Sequence, residues 1–192
     1  MKKLITMFAI VSVTIGCKAQ STWTFDNAHT AVKFGVTHLV ISEVEGEFKK
    51  YSGKVVSKND DFTDANVEFT IDVSSINTDN EMRDKHLKSD DFFNAEKFPN
   101  ISFKSTSLKK VSGNKYLLEG DLTIRDVTKK VKLDVVYNGT VKDPYGNTKA
   151  GFKISGTINR FDYNLKWNTM ADAGPVVGKD VTLTINAELK KQ

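Results

Sequence analysis

Tyr116-Leu-Leu-Glu-Gly-Asp-Leu-Thr-Ile-Arg125 alternates with period two. Tyr116, Leu118, Gly120, Leu122 and Ile124 fall on one face, and Glu119, Asp121 and Arg125 on the other. A strand with one apolar and one charged face belongs to an antiparallel sheet that is buried on one side and wet on the other. The same alternation continues in both directions. Upstream, it runs through Val32, Phe34 and Val36, then Val44, Gly46 and Phe48, then Val67, Phe69, Ile71 and Val73, then Ile101 and Phe103. Downstream, it runs through Val131, Leu133, Val135 and Tyr137, then Phe152, Ile154, Gly156 and Ile158, then Val181, Leu183, Ile185, Ala187 and Leu189.

About eight long strands of this kind predict an all-β chain. An eight-stranded antiparallel up-and-down barrel of lipocalin-like form removes the sheet edges, and a two-sheet sandwich is the alternative. Turn signals stand at Ser52-Gly53, Lys58 to Asp61, Ser112 to Asn114 and Asp143 to Asn147. Lone glycines inside strands, Gly46, Gly120 and Gly156, are read as bends or bulges. Few segments are helical. Asn80 to Ser89 is one, with Asp79 or Asn80 as cap and Met82, His86 and Leu87 as its inner stripe. One or two short helices therefore accompany the strands. Residues 159–178 read as a short alternating stretch and then a long loop rich in large apolar side chains.

The first residues read differently. Lys2 and Lys3 precede an apolar run from Leu4 to Ile15, which is signal-peptide length and short for a membrane span. Thr14-Ile15-Gly16-Cys17 resembles a lipobox, which would leave residues 1–16 as a lipoprotein signal and Cys17 lipidated. Cys17-Lys18-Ala19 equally suits ordinary cleavage after residue 19. Either route exports the protein, and the expected location is the periplasm. Membrane association is expected only if Cys17 is lipidated. Residues 20–192 then form one domain, with no internal linker or repeat. A homodimer is an open assembly state.

Composition excludes several classes. Cys17 is the single cysteine, so the body has no disulfide, thiolate nucleophile or cysteine metal ligand. The net charge of +4 falls to 25 basic against 24 acidic side chains once Lys2, Lys3 and Lys18 are set aside. No basic stripe remains for nucleic acid. His29, His38 and His86 show no metal-ligand spacing, although Asp26 and Asp84 lie near in sequence. No Gly-x-Ser-x-Gly elbow, phosphate loop or dinucleotide fingerprint occurs. Asp90-Asp91 reads as the end of a helix rather than an acid–base pair. No catalytic residue, cofactor or metal is assigned. An enzyme acting on a lipid or small acid through His38 or His86 with Asp84, and a stress-related protein-interaction module, are the alternatives.

The unusual feature is twelve Phe and two Trp, many on the inward parity. An eight-stranded barrel is either filled by such side chains or left hollow for one small ligand. If hollow, its apolar walls fit a hydrophobic chain.

Several blocks in order resemble the YceI family of periplasmic, lipocalin-like polyisoprenoid-binding proteins. They are Trp23-Thr-Phe-Asp26, His29 to Phe34 with His38, Val44 to Phe48, Ile76-Asn-Thr78, Arg83 to Phe93, Phe98 to Phe103, Gly120 to Thr128, Gly151-Phe152 and Ile158 to Asp162. The chain departs from the pattern at Asn94, Asp126 and Asn164. The resemblance implies an extended barrel around an apolar pocket that binds an isoprenoid quinone-like or fatty acyl chain, with no established catalysis. Arg83, Asp84 and His86 are expected to anchor the helix. The expected hydrophobic pocket residues are Phe34, Val36, Phe48, Phe69, Ile71, Phe92, Phe93, Phe98, Phe103, Leu122, Phe152, Ile154 and Trp167.

Overall fold

The computed structural model describes residues 19–192. The leader and Cys17 expectations lie outside the described residues. The strands are β1 (Ser21–Phe25), β2 (Ala31–His38), β3 (Ser42–Phe48), β4 (Tyr51–Ser57), β5 (Asn66–Asp72), β6 (Ile76–Asn77), β7 (Asn100–Ser112), β8 (Lys115–Ile124), β9 (Val127–Lys142), β10 (Thr148–Asn159), β11 (Met170–Ala171), β12 (Gly174–Pro175) and β13 (Val177–Lys191). The α-helix is α1 (Glu81–Lys88).

Three pairs of these strands are halves of longer staves. β1 and β2 both pair with β13, at Phe25↔Leu189 and Val32↔Ile185. β4 pairs with β1 and β3 with β2. β5 pairs with β4 and β6 with β3. Counting each pair as one stave gives eight, each antiparallel to the next, and β13 closes on β1 and β2. The expected up-and-down barrel is therefore the fold, and the sandwich is not. α1 is inserted between the third and fourth staves. Asn80 is its cap, its side chain accepting from Arg83 N at 3.0 Å.

Two expectations need correction. Ser52-Gly53 is no turn. It lies inside β4, opposite Thr70 and Phe69. Gly46 and Gly156 are not at bulges, whereas Gly120 pairs with Ser105 at the Ser105/Ser107 bulge; the other register shifts fall at Gly151/Phe152, Lys110/Ser112 and Val177/Val181. These glycines lack a Cβ because a neighbouring side chain takes its place. A Cβ on Gly46 would stand 2.4 Å from Phe34 Cζ, one on Gly120 2.4 Å from Phe103 Cζ, and one on Gly156 2.5 Å from Leu133 Cδ2. At Gly53 it would meet Phe69 Cδ2 at 2.8 Å and Phe25 Cε2 at 2.9 Å. Large side chains thus lie flat along the wall, each over a glycine of the adjoining strand.

One end of the barrel is solid. Phe62, on the loop between β4 and β5, is 2% exposed and reaches Trp23 and Phe152 at 5.1 Å and Tyr137 at 5.6 Å between ring centroids. Tyr116 Oη donates to Asp61 O at 3.0 Å and ties the loop down. Asp64 gathers donors from Ser57 Oγ, Lys58 N and Asn59 N, which fixes the loop's start.

Candidate functional site: an apolar cavity under a cap held by arginines

Above the Phe62 plug the barrel is hollow. A cavity of about 180 Å³ runs through it, and apart from Lys33 and Arg160 every lining residue is Phe, Leu, Ile or Val. The glycine contacts explain why the aromatics line it and do not fill it. Phe34, Phe69, Phe103 and Leu133 all belong to the wall, and each rests over one of the four glycines. A Cβ at those positions would push the rings toward the axis.

The cavity is capped by α1, residues 89–99 and the 160–176 segment. Three arginines tie these pieces to the barrel through backbone carbonyls. Arg160, 2% exposed, donates from Nε to Gly178 O (2.8 Å), from Nη1 to Leu165 O and Trp167 O (both 2.7 Å), and from Nη2 to Val177 O (3.1 Å). Burial lowers its pKa from the ordinary arginine value, and its guanidinium stacks over Phe161 at 4.2 Å. Arg125 Nη1 donates to Asp90 O, Phe92 O and Asn164 O, while Nη2 reaches Asp90 Oδ1 at 2.9 Å. Arg83 donates to Thr78 Oγ1 and Thr78 O. Thr78 in turn donates from N and Oγ1 to buried Asp84. Arg83 and Asp84 thus hold the helix entry. Asn164 closes the 3₁₀ turn over Arg160–Tyr163 at φ 61°, a left-handed position that asparagine accepts.

The thirteen expected pocket residues divide. Phe34, Val36, Phe48, Phe69, Ile71, Phe92, Phe93, Phe103, Leu122 and Ile154 are brought together on the cavity wall. Phe98, Phe152 and Trp167 are not. Phe152 has the inward parity but sits at the plug's depth, stacked on Tyr137 at 5.0 Å. Phe98 faces a polar basin beside the cap, with Arg125 and Lys97 over its ring at 5.4 and 5.2 Å. Trp167 stands between that basin and a second chamber. Wall residues missed by the sequence reading include Leu87, Leu165, Arg160 and Val177. Leu87 carried a signal in the helix stripe. Leu165 falls in the short alternating stretch, while Arg160 and Val177 stand at an element start where no period marks an inward side. Met82 was expected on the inner stripe and is instead 83% exposed.

The second chamber, also about 180 Å³, shares Phe34, Val36, Leu87, Phe92 and Val177 with the first. It adds Thr37, His38, Val44, Thr78, Arg83, His86, Trp167 and Val176. It is an antechamber whose polar groups come from β2, Thr78 and α1. His86 stands edge-on to Phe92 and Trp167, with Nε2 2.8 Å from Asp91 Oδ2. Its carboxylate partner is thus Asp91, not Asp84. Asp90 turns away to Arg125 and Asn94, so the two adjacent aspartates do not converge.

Asp26, His29 and Glu188 form another cluster, at the break between β1 and β2. Lys149 Nζ donates to Asp26 Oδ2 and to Glu188 Oε1. That ammonium holds Asp26 down to a pKa of about 2 and would repel a metal cation. The cluster therefore reads as an ion-pair clasp between β1, β10 and β13.

Comparison with known proteins agrees with this architecture. The model of the YceI-like domain family matches residues 23–189. A UPF0312 protein of Staphylococcus aureus strain N315 is 41% identical over 168 residues, covering 86% of this chain and 95% of that protein. The crystal structure of a Campylobacter jejuni YceI protein superposes with a TM-score of 0.69 at 33% identity, over 81% of this chain and 90% of that one. A polyisoprenoid-binding domain from Saccharophagus degradans shares the fold, with a TM-score of 0.67 at 14% identity over 88% of this chain and 98% of that one.

Proposed function

The chain belongs to the YceI-like domain family, and from that premise we propose that it is an exported binding and carrier protein for a lipid with an isoprenoid or fatty acyl chain. The observation that carries this reading is the hollow, hydrocarbon-walled cavity above the Phe62 plug. Left empty, an apolar void of about 180 Å³ costs on the order of 4 kcal/mol through lost packing. A chain that enters it recovers that packing and gains about 0.8 kcal/mol for each buried CH₂. The likeness to a structure described as a polyisoprenoid-binding domain supports the same class of ligand.

The chemistry is binding by desolvation. The tail lies along Phe69, Phe103 and Leu122 toward the plug. A chain longer than the inner cavity continues through Phe34, Leu87 and Phe92 into the antechamber. Its polar end meets Thr78, Arg83, His38 and His86 there. The reading is a carrier, because the lining of the inner chamber offers hydrocarbon contact to a chain. Export to the periplasm follows from the leader reading, with Cys17 either lipidated or removed.

Native mass spectrometry and solvent extraction of the purified protein test the proposal. A co-purifying lipid and stoichiometric uptake of a fluorescent fatty acid are expected. A protein with neither overturns it. Incorporation of labelled palmitate that is lost in Cys17→Ser distinguishes the two processing routes.

A further inference from the structure

The chamber mouth carries apolar side chains that the binding site does not use. The connection between β2 and β3, residues 39–41, stands beside the antechamber residues Thr37 and His38. Ile41 is 84% exposed and Val40 55%. Leu39 N donates to Val176 O at 2.9 Å, which seats this tip on the β11–β12 hairpin. A Cβ on Gly174 of that hairpin would lie 3.2 Å from Val40 Cγ2, and Met170 there is 62% exposed.

The backbone of the tip makes this choice of residues costly. Leu39 has φ 51° and Val40 φ 66°. Hairpin positions of that kind favour Asn or Gly, and a β-branched side chain there is an outlier. Val40 therefore opposes the local conformation.

We propose that this mouth docks on a lipid bilayer, with Val40 and Ile41 entering the acyl region and Met170 beside them. The occupant follows from size and shape. A stable protein interface takes about 20–30 residues from each side, and a three-residue tip offers far fewer. A bilayer accepts a narrow finger, because each apolar side chain gains its own transfer free energy. Charges on the neighbouring segments are mixed, with Glu43 and Asp172 against Lys166 and Lys179. Insertion is thus apolar and does not require anionic lipid. The proposal rests on the carrier reading for its purpose: cargo passing between membrane and antechamber would cross this rim.

Co-sedimentation with phosphatidylcholine vesicles, with and without phosphatidylglycerol, tests it on the full mature chain. The comparison variant is Val40→Asn with Ile41→Asn, in which asparagine relieves the left-handed strain at position 40. The wild type should partition onto both vesicle types alike. The variant should keep or gain thermal stability, lose about tenfold or more in partitioning, and slow fatty-acid transfer between vesicles. Its equilibrium uptake of dissolved fatty acid should be unchanged. Absence of wild-type partitioning, equal partitioning of the variant, or binding only with phosphatidylglycerol overturns the docking. Partitioning without any fatty-acid uptake overturns the carrier reading instead and leaves the docking standing.

Discussion

Phe34 lies across Gly46 on the neighbouring strand so closely that a methyl group on the glycine would meet the ring at 2.4 Å. The same arrangement sets Phe103 over Gly120 and Leu133 over Gly156. It keeps bulky side chains flat against the barrel wall and leaves the axis free.

Alanine at these glycines should therefore close the cavity to different degrees. Gly120→Ala meets both the Phe103 ring and the Lys104 carbonyl, at 2.4 and 2.6 Å, and backbone cannot swing aside. It should cost about 2–3 kcal/mol, the upper range for overpacking. Gly46→Ala and Gly156→Ala meet only side chains inside 3 Å and should cost about 1 kcal/mol. Gly46→Ala should still reduce fatty-acid uptake, because Phe34 must rotate inward. Urea denaturation and a fluorescent-lipid titration read the two effects separately.

Filling the void directly should separate stability from binding. Ile154→Phe adds volume where about 180 Å³ is empty. Stability should stay within about 1 kcal/mol of wild type, while uptake falls. A calorimetric melt and the lipid titration together check this.

Arg160 holds four carbonyls of the cap and barrel rim. Arg160→Met should leave them without a partner and cost about 3 kcal/mol or more. Hydrogen exchange should rise in residues 164–178 before it rises elsewhere. Uniform loss of protection would show that the arginine supports the whole barrel rather than its cap.

The Lys149 clasp should make stability depend on acid. Asp26 has its pKa lowered from 3.8 to about 2, chiefly by the hydrogen bond from Lys149. A depressed carboxylate contributes stability above its unfolded value and loses it as pH falls through the folded one. With partial solvent screening, the contribution is on the order of 1 kcal/mol. Lys149→Met should thus be less stable than wild type near neutral pH. The difference should shrink between 3.8 and about 2, as denaturation curves across that range would reveal.

Trp167 stands at the antechamber and Trp23 in the solid end against Phe62. Lipid uptake should change the emission of Trp167 and leave Trp23 unchanged. Trp167→Phe should abolish the fluorescence response without abolishing uptake measured by mass.

The sequence by itself determined the antiparallel strands and the face each turns inward, while their closure into a barrel rather than a sandwich is seen in the pairing of β13 with β1 and β2. Alternation along Tyr116–Ile124 and its counterparts assigns each side chain to the interior or to water, because a pleated strand has a period of two. The turn at Gly113, where φ is 52°, and the cap at Asn80 were legible for the same local reason. Only the tertiary structure decided whether the interior was full. Phe152 and Phe103 share the inward parity, yet Phe152 packs the plug and Phe103 lines the cavity. Depth along the axis depends on the stagger of eight staves, which no single strand encodes. Glycines read as bends turned out to be seats for large side chains of the neighbouring strand. Phe62 and Arg160 sit in irregular segments, and their roles emerge only when the chain closes on itself. The plug and the cap are products of that closure, and they set where a lipid chain can lie.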